Sequence, residues 1–217
     1  MTIFVAGCSH VFGHGFPDCE AFGDMGKPSK YAWPQKASAD GYDIVNVSEP
    51  GGGPQAMLES LDCYDDKQDL THLFLMVPLS QRYLLKNHWK GRENFCIGKL
   101  DGYKESGKWG KTLLHWMKDI KYPEHERHLM LGTIGYYQSV ANNNNAKLWL
   151  GFTDEDDYLD IEDSNFEVQT YTHNGESKPF IWQTFAHDVG AGYLPDMHFD
   201  EVAHDAFYQL QFLPFVK

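Results

Sequence analysis

Several absences in the sequence exclude whole classes of protein. The 217 residues contain no run of about 18 apolar residues, so no transmembrane helix is predicted. The segment Met1–Phe4 lacks a basic start, an apolar stretch and a cleavage site, so no secretory signal is expected. The four cysteines lack CxxC spacing and are too few for a disulfide scaffold, which predicts reduced thiols in a cytosolic protein.

The chain also has few basic residues. The chain has 18 Lys and Arg against 31 Asp and Glu, a net charge of −13. This balance argues against a general nucleic-acid binder, because phosphate neutralisation needs a basic surface. The charge is uneven, since residues 151–170 hold eight acids and no Lys or Arg, whereas residues 81–130 hold eleven Lys and Arg against six acids. The acidic run 154–163 lacks EF-hand spacing and is interpreted as a solvated surface loop.

The apolar residues, by contrast, suffice for the core of one domain and fall in a regular order. Short apolar runs predict strands at residues 2–6, 43–47, 73–77 and 147–152. Helices are predicted at residues 31–40, 55–64, 111–120, 124–142 and 199–212, and residues 85–108 are predicted to be loops. Strands that alternate with helices predict an α/β fold, a parallel sheet with helices on both faces, whose sites lie at the carboxyl ends of the strands.

The first strand ends in a turn that contains a serine between two glycines, Gly7-Cys8-Ser9-His10-Val11-Phe12-Gly13. A serine on such a strand-to-helix turn projects its hydroxyl at the sheet edge, beside free backbone N–H groups. This geometry suits a nucleophile whose own N–H helps to hold an oxyanion. In isolation the same pattern is more often only a turn or a helix N-cap.

A second candidate segment, Pro195-Asp196-Met197-His198, precedes the last predicted helix. His198 has the intrinsic pKa of a general base, and either Asp196 or Asp200 could orient its ring. A metal site built from Asp196, His198, His204 and one of His10 or His14 is the alternative. No recognised ligand spacing such as HExxH is present, so neither a metal nor a cofactor is predicted.

Three motifs in this order resemble the SGNH/GDSL hydrolases, and most of all the phage-encoded branch of that superfamily. They are Gly7-x-Ser9-x-x-x-Gly13, Asn46-Val47-Ser48-Glu49-Pro50-Gly51 and Asp196-Met197-His198. Tyr31-Ala32-Trp33-Pro34 and Pro78-Leu79-Ser80-Gln81-Arg82 resemble that branch as well. The resemblance covers roughly residues 2–82 and 147–212.

The resemblance implies a flavodoxin-like three-layer sandwich and hydrolysis of carboxylic esters. Carried onto this chain, Ser9 would be the nucleophile, His198 the base and Asp196 its orienting carboxylate. The N–H groups of Ser9 and Gly51 would be two donors of the oxyanion hole. The reaction would acylate Ser9, and a water activated by His198 would then hydrolyse the acyl-enzyme.

The chain departs from the family's pattern in three places. Cys8 replaces the aspartate that precedes the family's serine, and the usual Asp-x-x-His is one residue shorter, at Asp196-Met197-His198. The family's Gly-x-Asn-Asp after the third strand is missing. The third oxyanion donor is therefore unassigned, with Ser80, Gln81 or Arg82 as candidates.

A basic and aromatic segment at residues 86–123 follows the third strand. Within a single domain spanning residues 1–217, it is interpreted either as a cap over the site or as a surface loop pinned by its aromatic residues. As a cap it would bind an anionic or sugar-bearing substrate, with Trp89 and Trp109 stacking on rings.

Three functions follow from these observations. The leading hypothesis is an esterase or deacetylase that cleaves a small acyl ester, for instance an O-acetylated carbohydrate. The second is a catalytically silent SGNH-like fold that binds a glycan or a protein in a phage particle. The third is a metal-dependent hydrolase. The expected location is the cytoplasm, that of the host cell for a phage protein, or the virion. No nucleic-acid or membrane partner is expected, and the oligomeric state is not indicated.

Overall fold

The computed structural model describes residues 1–19, 27–79 and 125–217, and the backbone of strands at residues 82–87 and 91–96. Within those ranges the strands are β1 (Thr2–Ala6), β2 (Asp43–Asn46), β3 (Leu70–Val77), β4 (Arg82–Asn87), β5 (Gly91–Cys96), β6 (Lys147–Phe152), β7 (Thr170–His173) and β8 (Glu176–Pro179). Four of them form a parallel sheet in the order β2-β1-β3-β6, and β4-β5 and β7-β8 are antiparallel pairs.

Helices connect the strands of the parallel sheet and cover it. The described ones are α1 (Ser9–Phe12), α2 (Trp33–Ala39), α3 (Pro54–Asp62), α4 (His125–Asn144), α5 (Glu155–Leu159), α6 (Trp182–Asp188), α7 (Glu201–Phe207) and α8 (Leu213–Val216). A 3-10 turn at Lys67–Asp69 precedes β3, and a π-helical stretch at Tyr208–Phe212 joins α7 to α8. Pro54 occupies the first turn of α3, where its missing N–H costs nothing.

Side chains alternate between the two faces of the sheet, as the pleat of a strand requires. Along β1, Ile3 and Val5 pack into one core cluster, which includes Trp33 of α2. Phe4 and Ala6 pack into a second cluster, which includes Tyr137 of α4. Both faces are therefore buried under helices. The predicted α/β fold, with a central parallel sheet between two helical layers, is confirmed.

The strand order reverses direction at β1, because the chain steps to β2 on one side and then to β3 on the other. This is the arrangement of flavodoxin-like sheets, in which ligands bind outside the carboxyl ends of the strands at the point of reversal. The loop after β2 is tied to the loop after β1 by Glu49 N–H, which donates to Gly7 O at 3.1 Å. Thr153 N–H, just after β6, likewise donates to Val77 O at 2.9 Å.

Two predictions of loop are wrong. Strands β4 (residues 82–87) and β5 (residues 91–96) pair antiparallel, with Leu84 opposite Asn94 and Leu85 opposite Glu93. Neither strand alternates apolar with polar residues, so the sequence carries no strand period there. In the acidic run, Asp154 accepts a hydrogen bond from Asp156 N–H at 3.0 Å and caps α5, so acidic residues favoured at a helix start produce a helix.

The remaining predicted elements divide into those confirmed and those outside the described residues. The four strands of the parallel sheet and the helices α2, α3 and α4 lie where the sequence places them, and Asn145 ends α4 in the left-handed region with φ 54°. The last predicted helix begins at Glu201, because Asp200 caps it. The predicted helix at 111–120 and most of the segment 86–123 lie outside the described residues. Among the helices described, none is long and apolar enough to cross a membrane.

Candidate active site

A short loop between α6 and α7, residues 192–200, carries the predicted acid and base. Its two ends are held together, since Asp200 N–H donates to Gly192 O at 3.0 Å and Gly192 N–H donates to the Asp200 carboxylate at 2.9 Å. Phe199 anchors the loop in the core. Met197 at the tip has φ 69°, a left-handed conformation that only a few per cent of non-glycine residues adopt.

This turn allows the shortened Asp-x-His motif to bring its two side chains together. Asp196 Oδ1 accepts a hydrogen bond from His198 N–H at 3.2 Å. Asp196 Oδ2 lies 3.0 Å from His198 Nδ1. The carboxylate thus faces the imidazole even though one residue of the family's spacing is missing.

Asp200, the other candidate partner of His198, has structural contacts instead. Its Oδ1 accepts from Val202 N–H at 3.0 Å, the N-cap bond of α7, and its Oδ2 accepts from Gly192 N–H. Between the two aspartates that the sequence leaves open, Asp196 is the one that the structure places at the His198 ring.

A second histidine contacts the same carboxylate oxygen. His14 Nδ1 lies 3.0 Å from Asp196 Oδ2, so Asp196 lies between two imidazoles. Gly15, with φ 94°, permits this approach, because a Cβ at that position would clash with the Asp196 carboxylate. Asp196, His14 and His198 are hereafter called the His14–Asp196–His198 cluster.

The surroundings of Asp196 favour its ionised form. Burial alone would raise the pKa of this carboxyl group. The positive charge of His198, the His198 backbone N–H and the side chains of His14 and His198 outweigh burial, and the pKa lies below its ordinary value of 3.8. Asp196 is therefore a carboxylate at neutral pH.

His204 does not belong to this cluster. It is fully buried in α7, and its Nδ1 accepts a hydrogen bond from Trp33 N–H at 3.3 Å, at the start of α2. Burial, together with the charges of Lys36 and His198, lowers the pKa of His204 to about 3. His204 is a neutral histidine that caps a helix from another part of the chain. The alternative metal site, which would have used His204 as a ligand, is therefore wrong in that residue.

Ser9 lies at the first residue of α1, directly after the turn that follows β1, and is 5% exposed. The next residue, His10, places its ring 4.7 Å from the ring of His198, centroid to centroid. The serine turn and the Asp196–His198 pair therefore meet at the same edge of the sheet.

Gly51 lies in a type II turn at the end of β2. Gly52 N–H donates to Glu49 O at 2.9 Å, Pro50 follows Glu49, and Gly51 has φ 74°. A type II turn requires a positive φ at this position, which glycine adopts without strain. Because the Glu49 N–H is bonded to Gly7 O, the Gly51 turn lies next to the turn that carries Ser9.

A cleft of about 400 Å³ opens beside the Gly51 turn. It is lined by Phe12 of α1 and by the residues that follow β2, among them Asn46, Ser48 and Pro50. Asn46 Oδ1 accepts hydrogen bonds from the N–H and the hydroxyl of Ser48, which shapes this loop into an Asx turn. Ser9, Asp196 and His198 are not among the residues that line this cleft.

Other predicted site residues lie elsewhere or outside the described ranges. Cys8 is buried and its Sγ lies 3.8 Å from Thr153 Oγ1, so it faces the end of β6. Ser80, Gln81, Trp89 and Trp109 lie outside the described residues, and Arg82 is described only in its backbone, as the first residue of β4.

Sequence reasoning offered His14 only as one possible ligand of the alternative metal site and missed its contact with the Asp196 carboxylate. Its contact with Asp196 joins positions 182 residues apart. The one local signal is Gly15, since a glycine after a polar residue can indicate close backbone approach.

The chain matches no family model and no curated protein sequence. Among solved structures it is similar to an acetyl xylan esterase, Est2A, from the rumen bacterium Butyrivibrio proteoclasticus. The sequence identity is 16% and the TM-score 0.39, and the similarity covers 74% of this chain. It covers 50% of the esterase, so this chain spans about half the length of that enzyme.

Proposed function

We propose that the chain is an SGNH-type serine hydrolase that cleaves small acyl esters through an acyl-enzyme on Ser9. One observation carries this proposal: Asp196 Oδ2 lies 3.0 Å from His198 Nδ1, beside the turn that presents Ser9. An imidazole whose Nδ1 faces a carboxylate has its Nε2 left to accept the proton of a serine hydroxyl.

The reaction proceeds in two halves. Ser9 Oγ attacks the carbonyl carbon of the ester and gives its proton to His198, while Asp196 stabilises the imidazolium that forms. His198 then protonates the leaving alcohol, and the acyl group stays on Ser9. In the second half His198 takes a proton from water, whose oxygen attacks the acyl-enzyme, and His198 then returns that proton to Ser9 Oγ as the carboxylic acid leaves.

The oxyanion formed in each half requires hydrogen-bond donors. Ser9 N–H and Gly51 N–H are the two donors of this proposal, and the Glu49–Gly7 hydrogen bond that joins their turns supports it. We propose that Ser80, Gln81 or Arg82 provides a third hydrogen-bond donor to the oxyanion.

An O-acetylated carbohydrate is the substrate class we propose. Its support is the basic and aromatic composition of residues 86–123, in which Trp89 and Trp109 would stack on sugar rings. The resemblance to phage-encoded hydrolases belongs to the same proposal. Release of acetate from an O-acetylated oligosaccharide, lost in Trp89→Ala and Trp109→Ala while turnover of a simple acetate ester is kept, would support it.

Turnover of p-nitrophenyl acetate by three proteins tests the chemistry. Ser9→Ala should lower the rate by several orders of magnitude, because a serine nucleophile in a triad contributes on the order of 10⁶ to kcat. Ser177→Ala, which changes an exposed serine on β8, is the matched control and should keep the wild-type rate. Equal rates in wild type and Ser9→Ala would contradict the proposal and favour a binding module.

A further inference from the structure

The His14–Asp196–His198 cluster brings together three side chains that ligate metals. We propose that it binds one divalent transition ion of the zinc class, and that the bound ion blocks the hydrolysis proposed for the same residues. One donor atom of each side chain lies within 4.8 Å of the others. Binding of the ion stands on this geometry alone, whereas the blocking effect rests on the proposed function.

The spacing of the donor atoms fits a transition ion. Zn²⁺ with ligands at about 2.0–2.2 Å and bond angles between about 90° and 110° keeps neighbouring donor atoms about 3.0–3.5 Å apart. Asp196 Oδ2 lies 3.0 Å from His14 Nδ1 and 3.0 Å from His198 Nδ1. An ion bound by these three atoms therefore needs only small side-chain movements.

The backbone fixes this set of donors before an ion arrives. His198 N–H holds Asp196 Oδ1, which turns Oδ2 toward both imidazoles. Gly15 and Met197, which adjoin His14 and His198 in sequence, have positive φ angles, and both imidazoles contact the same carboxylate oxygen. Ligands that are oriented by their neighbours bind metal more tightly than ligands that must be ordered.

The His14–Asp196–His198 cluster is partly exposed to solvent. The side chains of His14, Asp196 and His198 are 13%, 27% and 18% exposed. Solvent can therefore reach the donors and supply further ligands such as water. Three protein ligands with an open position distinguish an exchangeable site from a closed structural one.

The donor set selects the class of ion. Two imidazoles and one carboxylate suit Zn²⁺, Co²⁺ and Ni²⁺, whereas Ca²⁺ and Mg²⁺ prefer an all-oxygen shell. A bound ion would occupy the Nδ1 of His198 and the Oδ2 of Asp196, the two atoms whose contact defines the proposed base. Metal binding and ester hydrolysis would therefore exclude each other.

Calorimetric titration of the metal-free chain with Zn²⁺ tests the binding, and the absorption of bound Co²⁺ reports the ligands. The expected result is one ion per chain for the wild type and for Ser9→Ala. In His14→Gln the affinity should fall about tenfold or more. Asp196→Asn should lose more, because it removes the central ligand. His14→Asp, which replaces one ligand by another, should bind more tightly than His14→Gln.

The matched control is His173→Gln. His173 Nε2 lies 3.8 Å from Asp188 Oδ1, a second His–Asp pair, but Lys178 Nζ lies 2.6 Å from the same carboxylate and repels a cation. This variant should bind Zn²⁺ like the wild type. Stoichiometry well below one ion per wild-type chain, or binding unchanged in both His14→Gln and Asp196→Asn, would overturn the proposal. Because wild type is measured directly, a variant that fails to fold does not decide the result.

Inhibition of p-nitrophenyl acetate turnover separates the two claims. Half-inhibition at the Zn²⁺ concentration that half-saturates the chain supports mutual exclusion. Full activity with the ion bound would overturn the exclusion and leave the binding site standing. A wild type that binds Zn²⁺ but hydrolyses no ester would contradict the proposed function, with the metal site unaffected.

Discussion

Asp196 and Asp188 are two carboxylates that each face a histidine, and the other groups around them differ. Asp188 Oδ2 accepts from Lys178 Nζ at 2.6 Å and from Tyr171 Oη at 2.7 Å, with His173 3.8 Å from Oδ1. The set of Asp188, Lys178, Tyr171 and His173 joins the β7-β8 hairpin to the end of α6. Asp196 has two imidazoles and one backbone N–H, and a lysine is not among its contacts in the described residues.

The difference shows what makes a carboxylate useful for chemistry. The hydrogen bond from Lys178 is the largest cause that lowers the pKa of Asp188. The charge of Lys178 keeps Asp188 ionised, and the pair stabilises the fold. Asp196 contacts two imidazoles, whose ring nitrogens can donate or accept a hydrogen bond, whereas the ammonium group of Lys178 can only donate. Both carboxyl groups have a lowered pKa, and only the identity of the partners separates the two regions.

The largest expected difference between the regions is in ester turnover. Asp196→Asn should lower kcat by on the order of 10³–10⁴, because an amide cannot stabilise the imidazolium. Asp188→Asn should keep the wild-type rate. The measurement is the kinetics of p-nitrophenyl acetate hydrolysis on both purified variants, with unfolding curves as the check on stability. Similar losses in both would remove the functional distinction between the two aspartates.

Two glycines sharpen the comparison. Gly15, beside Asp196, and Gly175, in the β7-β8 turn, have φ angles of 94° and 83°, so alanine at either should cost about 1–2 kcal/mol of stability. A Cβ at position 15 would clash with the Asp196 carboxylate, whereas no atom of the described residues lies within 4 Å of a Cβ at position 175. Gly15→Ala should therefore lower turnover and stability further, whereas Gly175→Ala should affect stability alone. Equal turnover in the two variants would show that the approach of Gly15 does not position Asp196.

His204 is a buried histidine whose Nδ1 accepts from a backbone N–H group, whereas His14, His173 and His198 each contact a carboxylate. Its pKa, lowered from 6.5 to about 3 by burial, means that the unfolded chain binds a proton below pH 6.5 while the folded chain does not. Stability present above that pH is lost as the pH falls, by about 2 kcal/mol between pH 7 and pH 5. Urea unfolding at the two pH values measures this loss.

The control for that loss is His204→Gln, whose amide oxygen can still accept from Trp33 N–H. It should show a flatter pH dependence than wild type, with a smaller contribution left from His72, whose pKa burial also lowers. A pH dependence equal to that of the wild type would rule out His204 as the cause.

The smallest expected effect concerns the structural region. Tyr171→Phe removes the hydroxyl that donates to Asp188, and should cost about 1 kcal/mol of stability. Ester turnover should stay at the wild-type value, because Lys178 still holds the carboxylate. Thermal unfolding and p-nitrophenyl acetate kinetics on the same sample check both statements. A loss of turnover would link the β7-β8 hairpin to the active site.

Sequence reasoning could predict the elements with a strong local pattern. The sheet follows from apolar runs such as Leu73–Val77, and Gly51 is recognisable as a turn residue after a strand. The Asp196–His198 pair is visible because both residues lie in one short motif. The β7-β8 hairpin was missed, although Asn174-Gly175 is a typical two-residue turn, because its strands are short and polar.

Contacts between distant segments could not be predicted. The His14–Asp196 contact depends on the backbone of Gly15 and on the way the 192–200 loop folds over α1. Likewise, the sequence could not decide whether Asp196 or Asp200 contacts His198. The structure decides it, because Asp200 is the N-cap of α7. His204 resembles a ligand in sequence, and only its burial against Trp33 shows that it is structural.

The rate at which a fluorophosphonate labels Ser9 tests the central claim most directly, because it reports nucleophile activation without requiring the natural substrate. Intact mass measured over time on wild type, Asp196→Asn and Asp188→Asn gives the three rates, with Ser9→Ala as the unlabelled reference. Asp196→Asn should label at least about a hundredfold more slowly than wild type, and Asp188→Asn should label at the wild-type rate. Equal labelling of the two aspartate variants, or an adduct that persists in Ser9→Ala, would contradict the assignment of Asp196, His198 and Ser9 as one catalytic unit.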